Sequence, residues 1–255
     1  EPDSEYTRLF RRIHDRLLEL RPMAVIDVHN NTGLNPHYAA LNRIRSDYLR
    51  LASMFSPKVV YFTMPTGTLS HSRSEFCPSI TLECGQAGEV HGTDHSLAFL
   101  ETCLHQETIS LQPVDADSVH LFHMVATVNV NPDVLFGFGK VPADVAFHDG
   151  LDENNFRELD PGTSFGVIHN GAEQPLFAYD VEGRDITSSY FNFSDGEVRT
   201  MREVMPSMLT LDRRVIQQDC LCYLMERIHY EDNEEVTGID PLPEGIKRSD
   251  TPGAE

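Results

Sequence analysis

Ala24-Val25-Ile26-Asp27-Val28-His29-Asn30-Asn31-Thr32-Gly33 is the stretch from which the fold is read. Ala24, Val25, Ile26 and Val28 are apolar and mostly β-branched, and they predict a short buried strand over 24–29. Asp27 interrupts the run, and His29 closes it before a turn of Asn, Thr and Gly. Ligands bind at the carboxyl ends of strands in open α/β sheets. A His there, two residues after an Asp, fits a metal ligand with an oriented outer partner. A structural, hydrogen-bonding His is the other reading of the same stretch.

Upstream, Asp3 or Ser4 is an N-cap for a helix carrying Leu9, Phe10, Ile13, Leu17 and Leu18 at helical spacing. Arg21-Pro22 ends it. Downstream, 31–37 reads as a loop and 38–55 as a helix stopped at Ser56-Pro57. Val59 to Met64 is a strong strand signal. Residues 65–78 form a polar loop, and Ser79 to Gly85 is a strand that again brings an ionisable side chain, Glu83, near its end. Thr93 or Asp94 caps a helix running to about His105. Helices and strands alternating with short connections predict α/β layering.

Beyond about residue 110 the pattern changes. The segments 119–130, 134–138, 145–147, 164–168, 176–181 and 220–228 are strand-like and punctuated by Gly, Pro, Asn and Asp. The expected organisation is an α/β catalytic domain over 1–110, a smaller β-rich domain over 111–230, and an acidic, Pro- and Gly-rich tail over 231–255.

The chain has 255 residues, with 40 acidic against 20 basic side chains, a net charge of −20. That argues against nucleic acid and anionic membranes as partners, since either needs a basic footprint. A local basic pocket for a small anion is compatible with it. No apolar run approaches a transmembrane length, and no signal peptide opens the chain. Five cysteines without zinc spacing are expected to be reduced thiols in a cytoplasmic protein.

Glu83 lies in an apolar strand before Gly85. It reads either as a buried salt-bridged carboxylate or as a general base tuned by burial. Arg73 sits in the polar loop, as a solvated side chain or as a fork for a carboxylate. His91 and His95 have ligand spacing, but Gly92 and a cap at Thr93 or Asp94 place His91 before the helix. His120 and His123, three apart on a strand, face opposite sides and read as structural. There is no G-x-S-x-G, P-loop or G-x-G-x-x-G.

Asp27-Val28-His29-Asn30-Asn31-Thr32 and Thr81-Leu82-Glu83-Cys84-Gly85-Gln86-Ala87 together resemble motifs of the succinylglutamate desuccinylase and aspartoacylase family, relatives of the zinc carboxypeptidases. The first resembles D-L-H-N-T-T and the second T-L-E-L-G-K-A. Phe156-Arg157-Glu158-Leu159-Asp160-Pro161-Gly162 resembles the family's aromatic-x-x-L-x-P-G segment. The resemblance covers most of 1–230. It implies a carboxypeptidase-like mixed sheet with flanking helices followed by a smaller β-rich domain. It also implies one zinc ion with His29 as a ligand, Asp27 behind it, and Glu83 as general base. Asn30, Arg73 and Tyr230 would contact the substrate, an N-acyl amino acid or similar small acid. Oligomeric state is open, a homo-oligomer included.

The chain departs from the family in three places. The H-x-x-E motif that supplies the other two zinc ligands, and the N-R segment that follows it, are not found upstream of His29, so the chain reads as a fragment lacking them in preference to a protein that has lost its metal site. Leu69 stands where aspartoacylases have a Tyr, and Cys84 replaces an aliphatic residue. The competing functions are a peptide-cleaving metallocarboxypeptidase and a catalytically silent binding or regulatory protein on the same fold.

Overall fold

A computed structural model describes residues 4–229 and 247–248. Helix α1 (Glu5–Leu20) leads into β1 (Val25–Asn31), β2 (Tyr38–Leu41), α2 (Ser46–Phe55) and β3 (Lys58–Tyr61). The short α3 (Leu69–Arg73), β4 (Ser79–Gln86) and α4 (Val90–Leu104) follow. The long β5 (His120–Val130) opens the second half. It continues through β6 (Phe136–Phe138), β7 (Val145–Phe147), β8 (Ser164–Ile168) and β9 (Leu176–Tyr179). Next come α5 (Thr187–Tyr190), β10 (Phe191–Asn192), β11 (Glu197–Thr200), β12 (Met205–Ser207), α6 (Arg213–Gln218) and β13 (Cys222–His229). The two-residue β14 (Lys247–Arg248) pairs with the end of β13.

A nine-stranded sheet runs β1-β4-β2-β3-β5-β13-β12, with β9 also on β5 and β14 on β13. The pairs β1–β4, β2–β3 and β3–β5 are parallel and the other pairs antiparallel, so the sheet is mixed. A second, five-stranded sheet runs β10-β11-β8-β7-β6. The fold is therefore α/β with a central mixed sheet and flanking helices, as expected.

The central sheet crosses the division expected near residue 110. β5, β9, β12 and β13 belong to it, and only the second sheet stands apart. Leu121 to Ala126 in β5 are buried without interruption, the signature of a central strand covered on both faces. One core packs β2, β3 and β4 against α2 and α4 through Leu41, Tyr48, Phe55, Leu82 and Phe99. Another joins β5, β9 and β13 to the second sheet through Val128, Leu176, Phe147, Phe165 and Val198. The expected tail lies outside the described residues, apart from β14.

Two local expectations are corrected. The helix expected over 38–55 is a strand, a turn and a helix. Tyr38 to Leu41 are all buried between β4 and β3, and a short, wholly apolar run has no periodicity to separate strand from helix. The helix expected from Thr93 or Asp94 begins at Val90, with Glu89 as N-cap. Gly92 suggested a break, but it is what lets α4 approach β4. Ser4 caps α1 as expected, its side chain accepting from the Thr7 N–H. Thr68 does the same for α3, which the polar-loop expectation did not include. Among the described residues, no helix is long and apolar enough to cross a membrane.

Gly92 carries a testable consequence. A β-carbon there would lie 2.0 Å from the carbonyl oxygen of Cys84 in β4. Alanine normally stabilises a helix interior by about 1 kcal/mol relative to glycine. Here the backbone clash reverses the sign, and Gly92→Ala should destabilise by about 1–3 kcal/mol. Urea unfolding of the two proteins measures it; an unchanged or raised midpoint would contradict the close approach.

Candidate active site

Parallel pairing of β1 and β4 places Asp27 opposite Thr81 and His29 opposite Glu83. Side chains alternate along a strand. Ile26, Ile80, Leu82 and Cys84 pack toward α2 and α4. Their neighbours Asp27, His29, Thr81 and Glu83 are thereby sent to the other face. Antiparallel β2 adds Tyr38 directly opposite Glu83 on that face. Tyr38 belongs to an apolar cluster there with Ala40, Val60, Phe122 and Met225.

His29 is half exposed, and its Nε2 lies 3.1 Å from Asp27 Oδ1. The sequence paired these two residues, and the structure joins them. Glu83 is 8% exposed. Its Oε2 accepts from Asn31 Nδ2 at 3.2 Å. Burial pushes its carboxyl pKa up, the Asn31 hydrogen bond and the His29 ring pull it partly back, and Asp27 pushes it up again. Burial, then Glu83, holds the Tyr38 phenol well above its ordinary value. A carboxyl raised in this way is fitted to take a proton from water and return it.

Asn31, not Asn30, is the amide that reaches Glu83; the Asn30 side chain is exposed. Asn31 Oδ1 in turn accepts from Asn35 Nδ2 at 3.1 Å, and Asn35 Oδ1 accepts from the Met208 N–H at 2.9 Å. The sequence had placed Asn31 to Asn35 in a loop, where their partners in the second half were invisible.

Arg73 is on α3 and buried, not solvated. Its Nε donates to Ser72 Oγ at 3.3 Å, and among the described residues its Nη1 has no hydrogen-bond partner. It lines a cavity of about 440 Å³ with Leu17, Leu18, Arg21, Val25 and Phe76. Val25 starts β1, and His29 is four residues further on, roughly 13 Å at strand rise. Arg73 thus shares the face but occupies its other end. Tyr230 lies outside the described residues.

The histidines on α4 are a further correction. With α4 starting at Val90, His91 is helical, and His91 and His95 share one side of the helix. Both stack on His37, at ring separations of 5.3 and 4.5 Å. Among the described residues, His37 Nε2 is buried without a hydrogen-bond partner, while His95 Nε2 is bonded to the Phe55 carbonyl at 2.8 Å. Burial and the two neighbouring imidazoles pull the His37 pKa down. His120 is exposed and His123 is buried against Tyr61, on opposite faces as expected. Among the described residues, no three His, Cys, Asp or Glu side chains are grouped so as to hold a metal ion.

No family model and no curated protein matches the sequence. Solved structures do share the fold. One is the succinylglutamate desuccinylase/aspartoacylase of Rhodobacter sphaeroides, with a TM-score of 0.52 and 14% identity over 91% of this chain. Another is the succinylglutamate desuccinylase of Vibrio cholerae, with a TM-score of 0.52 and 12% identity over 97% of this chain. The chain spans 66% and 65% of the lengths of these two proteins. At such identities the likeness is one of fold.

Burying Glu83 has a cost that can be measured. Its pKa is raised in the folded chain above the ordinary 4.5 of the unfolded one. Below pH 4.5 both states hold the proton. As pH rises through 4.5 the unfolded chain releases it first, so stability falls until the folded value is passed. Glu83→Gln removes that loss. The variant should unfold at higher urea than the parent at pH 7, with the advantage gone at pH 4. An equal or lower midpoint at pH 7 would show that the carboxylate is not under strain.

Proposed function

We propose that this chain carries the general base of an amide-hydrolysing centre of the succinylglutamate desuccinylase and aspartoacylase type. One observation carries the proposal. On that fold, His29 and a buried Glu83 face each other in register across two parallel strands. The substrate is an N-acyl amino acid or a similar small acid. Glu83 accepts a proton from the attacking water as the water oxygen bonds to the acyl carbon. When the C–N bond breaks, Glu83 passes that proton to the leaving nitrogen. The products are a carboxylic acid and a free amine. Asn31 holds the carboxylate in place, and Asp27 orients the His29 ring. Arg73 keeps a free donor for a substrate carboxylate, in the cavity beneath α1.

Zinc is the metal such a centre implies, where it polarises the carbonyl and acidifies water. A catalytic zinc takes three protein ligands and one open position. The described side chains do not make that set, so no step above runs through a metal. The second reading is a binding protein without catalysis on this fold.

Two measurements decide. Zinc titrated into the chain by calorimetry should bind weakly, and His29→Ala should lose what binds; tight one-to-one zinc would contradict the incomplete set. Turnover of N-acyl amino acids should fall about 10²- to 10⁴-fold in Glu83→Gln. An active parent with an equally active Glu83→Gln would remove Glu83 from its role. A parent inactive with and without zinc would leave the binding-protein reading.

A further inference from the structure

Three imidazoles meet where α4 begins. His37, one residue before β2, stacks on His91 and His95 of α4. Alternation turns its ring to the α4 side of the sheet, away from Tyr38 and Glu83. The Phe55 ring packs on the same group, 6.1 Å from His37 and 4.6 Å from His95, and the Phe55 carbonyl accepts from His95 Nε2. Protonating His37 would put an N–H on both ring nitrogens, and among the described residues the buried Nε2 has no acceptor for it.

The surrounding charges oppose that proton. On α4, His91 and His95 repel it, and the positive end of the helix dipole disfavours cations there. From β3, Lys58 lines one cleft with His91 and Glu89. From α2 comes Phe55, which is uncharged. Asp94 is exposed. Glu89 pulls the other way, but it already lies 3.4 Å from His91 Nε2 and accepts from the Gln86 N–H at 3.2 Å. Burial, then His95 and His91, hold the His37 pKa below its ordinary 6.5, and Glu89 offsets part of that.

The turn from β4 into α4 is in contact with the stack and also supports the Glu83 face. A β-carbon at Gly85 would stand 3.3 Å from Glu89 Oε2 and 3.6 Å from His37 Nε2. Gln86 Nε2 donates to the Thr32 carbonyl at 3.1 Å, and the Ala87 N–H donates to the Asn31 carbonyl at 3.2 Å. Asn31 is the residue whose side chain holds Glu83.

We infer that His37, His91 and His95 form a proton-operated clasp, which holds the first turns of α4 on the sheet while the rings are neutral and releases them, with the 85–89 turn, when His37 is charged. The clasp does not depend on turnover. Above pH 6.5 His37 is neutral whether the turn is closed or open. As pH falls through 6.5 the open turn takes the proton first, so the closed form loses stability until its own lower value is passed. Acid thus loosens the backbone that carries Asn31, the kind of switch that histidine clusters provide.

Hydrogen exchange of the full chain, read by mass spectrometry and corrected for the intrinsic rate at each pH, tests this. Between pH 7.5 and pH 5.5 exchange over 85–96 should rise about tenfold, with β3 and β5 unchanged. His37→Gln should abolish the rise. His91→Gln, at an exposed ring, should shrink it. His120→Gln, at an exposed ring on β5, and Glu83→Gln should both keep it, which separates His37 from other histidines and from the buried carboxylate. Circular dichroism verifies that each variant is folded. A flat response in the parent overturns the clasp. So does a rise spread evenly over all strands, a rise that both His37→Gln and His91→Gln leave intact, or one lost in Glu83→Gln.

Discussion

The parallel register between β1 and β4 is the constraint on which the site depends. It is a product of apolar side chains, not of the polar ones it positions. Ile26, Ile80, Leu82 and Cys84 are drawn to the core beneath α2 and α4. A slip of one residue would turn all of them outward. With the register so held, His29 and Glu83 have no choice but to face each other. The close seat of α4 on β4, which needs Gly92, fixes the same strand from behind.

A buried carboxylate on that face would be costly without a partner. Asn31 provides one, and the relay through Asn35 to the Met208 N–H carries the support into the second half of the chain. The same junction is tightened elsewhere. Gly33 lies so close to the Leu209 carbonyl that a β-carbon would stand 2.2 Å from it. Within the second half, Asn155 fixes Leu209 in turn, accepting from its N–H at 2.9 Å and donating to its carbonyl at 2.7 Å. The two halves are thus latched at Gly33 and Asn35, which meet Leu209 and Met208, and the central sheet runs through both.

These latches explain what could be read in advance and what could not. Strands 24–29 and 79–85 were legible because an apolar run ending in a charged residue and a turn has few other uses. The pairing of His29 with Asp27 followed from alternation alone. Tyr38 to Leu41 was misread because a strand buried on both faces has no periodicity. Asn31 was read as the start of a loop because the apolar run ends at His29, whereas β1 continues to Asn31 and alternation then puts it on the face of Asp27 and His29. The His37 stack was hidden by Gly92, which a local rule treats as a helix break and the tertiary structure uses for close packing. Arg73 looked like a loop residue because α3 is short and its cavity is closed by α1, far away in sequence.

Charge is the remaining step. A net −20 argues against extended polyanions, whose binding sums many phosphate contacts over a long surface. It says little about small acids. At physiological salt, exposed charges are screened beyond about 8 Å, so a ligand inside a cleft responds to the few groups that line it. Around the Glu83 face those groups are not typical of the chain. Lys58 and Arg157 stand at one end, and Arg73 and Arg21 line the cavity at the other. Between them lies a carboxylate that burial makes reluctant to ionise. Cations thus stand at both ends of a face whose central carboxylate burial disfavours in its charged form.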